Sequence, residues 1–162
     1  MEDIIRFGNL RVKRGARLGG GTQRTVYACD YTFRGKKFVL KRADDGDEYS
    51  NKQEFIIYKF VKGTPYAKYF PEFKKMTKDG RWLLVERCVT AKRKHGRMSS
   101  MESEEMAQDI FPDGLVHDNH SGNWGYTLKD KRPVILDMAH NDYEFSIIKD
   151  SIRSIKKGRK AA

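Results

Sequence analysis

The chain has 162 residues, 38% of them hydrophobic and 34% charged, which suits one domain, or two small lobes sharing a modest core. No stretch approaches the roughly 20 apolar residues that a bilayer span needs, and the opening "MEDIIRFGNLRVKRG" lacks the basic-then-apolar order of a secretory leader, so neither a membrane partner nor export is expected. Lys and Arg number 33 against 22 acids; the formal charge of +11 draws polyanions, whether nucleic acid, nucleotide phosphates or acidic protein, without choosing among them.

The first half reads as strands in succession. "RVKRGARLGG" and "QRTVYACDYT" flank a Gly-rich turn, and "KKFVLKRA" follows the Gly-centred connection "FRGKK". "DDGDEYSNKQEFIIYKFVKG" opens with turn residues and continues as a helix, with Glu54, Phe55, Tyr58 and Val61 at helical spacing and Gly63 as its stop. "YFPEFKKMTKDGRWLLVERC" predicts a hairpin turning at Asp79-Gly80, with "RWLLVERC" a buried strand. Cys29 and Cys88 sit in strand-like surroundings without metal-ligand spacing, which fits a reduced, cytoplasmic protein.

The second half changes character. "AKRKHGRM" reads as a linker, and "SSMESEEMAQDIF", with Ser at its N-cap and Glu in its first turn, as a helix ended by Pro112. A polar loop, "GLVHDNHSGN", precedes two short strands, "WGYTL" and "PVILDM", around the turn "KDKRP". "EFSIIKDSIRSIKKG" closes as an amphipathic helix with Phe145, Ile147, Ile148, Ile152 and Ile155 on one face. The basic clusters at 91–97 and 154–160 read as solvated loop and tail before they read as a nucleic-acid patch.

Two features carry chemistry. In "LGGGTQRTVYA" the glycines permit backbone N–H groups to approach phosphate oxygens, although most Gly-rich turns are only turns. Lys41 then ends "FVLK" on an inner strand, where Lys is rarely left unpaired. Glu54 on the following helix is a ready partner and Glu48 an alternative; such a pair beneath a glycine loop holds an ammonium where nucleotide phosphates lie.

In this order the motifs resemble the protein-kinase-like superfamily, over residues 15–140. "LGGGTQRTV" is similar to the kinase glycine loop: Gly19 and Gly21 match its first two glycines, Gly20 lies between them, Val26 ends the motif, and Arg24 replaces the third glycine and is expected to face solvent. Lys41 matches the phosphate-binding lysine and Glu54 its ion-pair partner. "LLVERC" resembles the strand before the hinge, which implies Val85 as gatekeeper and backbone contacts from Glu86 to Cys88 with adenine. "HDNHSGN" resembles the catalytic loop, with Asp118 and Asn123 at the family's spacing, and "ILDMA" stands where kinases have Asp-Phe-Gly, with Asp137 the metal-binding match.

The resemblance implies ATP and Mg²⁺ as cofactors. Asp118 would take the acceptor hydroxyl's proton, and Asn123 and Asp137 would offer hard oxygens to the metal. His120 would contact the γ-phosphate or brace the loop; Val116 occupies the site where most members carry a loop-bracing His. The "D-x-H-x-G-N" form is similar to aminoglycoside and choline kinases, and "H-S-G-N" to bacteriophage serine/threonine kinases.

The fold implied is α+β and bilobal: an antiparallel N-lobe with one helix over 1–88, and a strongly truncated helical C-lobe over 89–162. The expected function is a bacteriophage serine/threonine kinase acting on host proteins in the host cytoplasm, with a further protein as a candidate to complete the C-lobe. The rivals are a small-molecule kinase and a pseudokinase that grips a host protein or nucleic acid through its basic surface, nucleic acid being the less favoured.

Overall fold

The computed structural model describes residues 3–90 and 123–137. Nine strands and one α-helix account for most of them: β1 (Ile4–Phe7), β2 (Leu10–Gly20), β3 (Arg24–Phe33), β4 (Lys36–Ala43), α1 (Glu48–Val61), β5 (Phe73–Met76), β6 (Trp82–Glu86), β7 (Cys88–Thr90), β8 (Trp124–Thr127) and β9 (Pro133–Ile135). A 3-10 turn, Pro65–Tyr69, links α1 to β5, its start capped by Thr64 Oγ1, which accepts from the Tyr66 N–H at 3.0 Å.

Strands β1 to β6 form one antiparallel sheet in the order β1-β2-β3-β4-β6-β5. Period-two alternation gives it two faces. Tyr27, Phe38, Leu40, Trp82 and Leu84 line one face, and the sheet coils until Ile5, Phe7 and Val12 pack against them. Val39, Leu83 and Val85 line the other, where Ile57 and Val61 of α1 meet them with Phe70 and Phe73. The N-terminal half of α1 docks differently, through polar residues: Ser50, Asn51, Gln53 and Glu54 are all buried. Asn51 Nδ2 donates to the carbonyls of Gly80 (2.9 Å) and Arg81 (3.2 Å), which satisfies the turn before β6.

A second antiparallel sheet, β7-β8-β9, follows. It has no core of its own, because Trp124 and Ile135 enter the cluster that contains Val39, Ile57 and Leu83.

This architecture corrects the bilobal expectation. Half of the described residues lie in antiparallel strands, the six-stranded sheet coils into a nearly closed, barrel-like form, and α1 is the one α-helix among the described residues. What is described beyond residue 88 is sheet rather than a helical lobe. The physical cause is that "WGYT" and "PVI" are too short to stand alone and bury their apolar residues by joining β7 and the existing core. The helices expected at 99–111 and 144–158 and the linker at 91–98 lie outside the described residues. Strand β1 was not anticipated; its four residues alternate exposed and buried, with Ile5 and Phe7 inward. No helix among the described residues is long and apolar enough to cross a membrane.

Candidate functional site

Strand register builds one wall of the site. Gly19 of β2 is the Cα partner of Val26, Val26 of Lys41, and Lys41 of Leu83, so the four lie in a row across four strands on one face. Gly19 contributes no side chain to that row. No described atom comes within 4 Å of where its Cβ, or that of Gly21, would stand, and neither glycine has a positive φ. Packing therefore does not require glycine at 19 or 21. Gly20 differs, since a Cβ there would meet the Arg24 carbonyl oxygen at 2.9 Å, so the tight turn itself needs it. That turn is closed by the Gly21 N–H donating to the same carbonyl, at 2.9 Å.

The opposite wall comes from α1 and from the end of β9. Lys41 Nζ lies 3.2 and 3.1 Å from the two carboxylate oxygens of Glu54 and donates to the Leu136 carbonyl at 2.6 Å. Glu54 is fully buried and Lys41 nearly so, which makes the pair an interior one. Glu48 sits elsewhere: it accepts from the Gly46 N–H (3.1 Å) and lies 3.8 Å from Arg81. The alternative partner for Lys41 is thereby removed.

Arg24 does not face solvent, contrary to expectation. At 7% exposure it reaches into the same cluster, with Nη1 2.7 Å from Glu54 Oε2 and Nη2 donating to Asp137 Oδ1. Burial alone would lower the guanidinium pKa, but the charges of Glu54 and Asp137 and the hydrogen bonds to them outweigh it and leave it raised. The signal for this was in the alternation: Arg24 is two residues before Val26 in β3 and so shares the Lys41 face.

Asn123 and Asp137 flank the open end of the β8–β9 hairpin. Trp124 pairs with Ile135, and the next rung is the Leu136 N–H donating to the Asn123 carbonyl at 2.6 Å. Asn123 is buried, whereas the Asp137 side chain is 46% exposed. Lys41, Glu54, Arg24, Asp137 and the Leu136 carbonyl thus converge from three consecutive elements, β3, β4 and α1, and from the distant end of β9. Asp118 and His120 lie outside the described residues.

The segment expected to meet adenine is already engaged in sheet structure. The Glu86 N–H donates to the Glu72 carbonyl and the Arg87 N–H to that of Lys37, each at 2.8 Å. The Glu86 carboxylate is buried and accepts from the Glu72 N–H (3.0 Å) and Lys36 Nζ (3.5 Å), a corner that the sequence reading missed. Cys88 begins β7, with its thiol 3.7 Å from the Glu86 carbonyl. Burial, helped by the Glu86 charge, pushes that thiol up to about 12, which disfavours the thiolate form at neutral pH.

A separate cleft of about 490 Å³ opens between β1 and the turn before β6, lined by Ile4, Arg6, Arg42, Asp79, Arg81 and Trp82 among others. Asp44 and Asp45 lie 3.9 Å from Arg42, and Asp45 also pairs with Arg81, so much of its positive charge is met within the chain. The Lys41 cluster is the better candidate.

No protein-family model matches the chain, and no curated protein matches it.

Proposed function

We propose that the chain is an ATP- and Mg²⁺-dependent phosphotransferase, a bacteriophage-type serine/threonine kinase acting on host proteins in the host cytoplasm. The observation that carries this reading is the interior Lys41–Glu54 pair, set on the strand beside a glycine turn whose first and third glycines no packing contact explains. A Lys held this way presents a fixed cation to a polyanion, and bare glycine backbone leaves room for phosphates to approach.

The donor chemistry fits the implied cofactors. Lys41, with Gly19 and Gly20 of β2, Gly21 of the following turn and Val26 of β3, would hold the nucleotide, and the oxygens of Asn123 and Asp137 suit a hard cation. When bound, Mg²⁺ neutralises phosphate charge. Glu54 keeps Lys41 in place, and the Leu136 carbonyl fixes the same ammonium from the other side. Asp118, five residues before Asn123 in the sequence, is assigned the acceptor hydroxyl's proton, with His120 two positions after it as a candidate for the γ-phosphate.

The test is transfer of label from γ-labelled ATP, with Mg²⁺ and host lysate, by the purified protein and by Asp118→Ala. Label on lysate proteins or on the chain itself, lost in the variant, is the expected result. ATP binding with no label above the variant would replace this reading with a small-molecule kinase or a binding module. Absence of ATP binding would end it.

A further inference from the structure

Asp137, the carboxylate assigned to the metal, is already held by a cation of the chain itself. Arg24 grips two acids at once, Nη1 on Glu54 at 2.7 Å and Nη2 on Asp137. The two ends of this bridge are unequal: Glu54 is fully buried, while the Asp137 side chain is 46% exposed. Desolvation makes the Glu54 end the harder one to break, because an uncompensated buried carboxylate is costly. The Asp137 end faces water and can be exchanged. Release from Asp137 would leave Arg24 still paired with Glu54, so the exchange strands no buried charge.

The charge balance points the same way. Arg24 and Lys41 carry two positive charges against the two negative charges of Glu54 and Asp137, so the charges of these four side chains sum to zero. A divalent cation entering alone would leave Arg24 facing an added positive charge. One that enters with a nucleotide's phosphates would not.

We infer that Arg24 is the resident counter-cation of Asp137 and is exchanged for the metal when nucleotide binds, so that metal loading is coupled to nucleotide loading. This rests on the phosphotransferase reading of the same cluster. Arg24 is thus a positioning residue for the metal site, acting through Asp137.

The experiment is a titration of the full chain with Mn²⁺ alone, followed by electron paramagnetic resonance, for wild type, Arg24→Gln, Arg24→Lys and the double variant Arg24→Gln/Asp137→Asn. A fluorescent ATP analogue is titrated in parallel, with and without Mn²⁺. Arg24→Gln removes the cation that bridges Asp137 to Glu54 and is expected to tighten nucleotide-free Mn²⁺ binding by about fivefold, the upper end for one partly exposed charge pair. Arg24→Lys keeps a charge for Glu54 but has no planar fork to span both acids, so it should tighten binding similarly and covers the case where the Gln variant fails to fold. Adding Asp137→Asn should abolish the gain. A merely structural Arg24 would give weaker binding on substitution, not tighter. Unchanged or weakened Mn²⁺ affinity in the folded variants, or a gain that survives Asp137→Asn, overturns the exchange. If wild type still binds the analogue in that case, the phosphotransferase reading stands without it. If no variant binds analogue or Mn²⁺, both fall together.

Discussion

Glu54 is the residue on which the cluster depends, because it is fully buried and faces two cations, Lys41 and Arg24. Glu54→Gln keeps the volume and removes the charge, leaving both cations with less compensation in a nearly dry setting. The expected loss of folding stability is about 3 kcal/mol, the lower end for breaking a buried ion network. Urea unfolding of the variant checks this, and a loss under about 1 kcal/mol would show that Lys41 and Arg24 find water instead. At this scale the sequence was partly legible. Lys at the end of an apolar strand announces a need for a partner, and helical spacing offers Glu54. Which of two nearby acids, six residues apart, supplies the partner depends on where α1 begins, a boundary that local propensity does not settle. Arg24 was misread because a loop-tip Arg ordinarily points outward, whereas here β3 starts at that residue and alternation turns it inward.

Among the elements, Gly21 in the β2–β3 turn and Gly80 in the β5–β6 turn meet opposite demands. Gly80 has φ +83, and a Cβ there would lie 2.9 Å from the Glu48 carbonyl oxygen as well as 2.7 Å from Lys52 Cε. Gly80→Ala should therefore destabilise by about 2–3 kcal/mol, strain and a backbone clash together. Gly21→Ala meets open space without a positive φ, so its stability should stay within about 0.5 kcal/mol of wild type. Thermal melts of the two variants separate these cases. If the glycine turn covers phosphate, Gly21→Ala should still weaken binding of an ATP analogue.

The same β5–β6 turn makes a pH prediction. Thr77 Oγ1 donating to Asp79 at 2.6 Å and the Arg81 N–H donating at 3.0 Å hold this carboxyl below its ordinary 3.8. A depressed folded pKa contributes stability that is present above the unfolded value and lost as pH falls through the folded one. The stability gap between wild type and Asp79→Asn should thus be present at pH 6 and close below pH 3.8. The contribution is small because Asp79 is exposed. Urea midpoints at the two pH values measure it, and a gap that widened in acid would contradict the assignment. Turn chemistry of this kind was legible, since Asp-Gly between two apolar runs is a strong hairpin signal.

For the molecule as a whole, the second sheet and the first share a core. Trp124 is 1% exposed and packs with Ile57, Leu83 and Val85, residues that precede it in the chain by nearly 40 positions or more. Trp124→Ala should cost about 3–5 kcal/mol, the range for emptying a large aromatic site. Wild type should unfold in one transition by circular dichroism and by tryptophan fluorescence alike. Two separated transitions would mean that the sheets are independent units. The sequence suggested two lobes divided near residue 88 because its pattern changes character there. The strands described past that point have three or four residues, and strands so short need a neighbour's core.

What the sequence alone determined is local: the strand at 36–43 that carries Lys41, the helix that carries Glu54, and the hairpins whose turns lie at Arg34-Gly35 and Asp79-Gly80. Side-chain periodicity and turn chemistry act over a few residues, so a linear reading finds them. Only the tertiary structure decided that Arg24 meets Asp137, 113 residues away, that the Leu136 carbonyl receives Lys41, and that β7 pairs with β8 across a long intervening segment. Charge partners and sheet neighbours are chosen by where desolvated groups end up in space. No spacing along the chain records that.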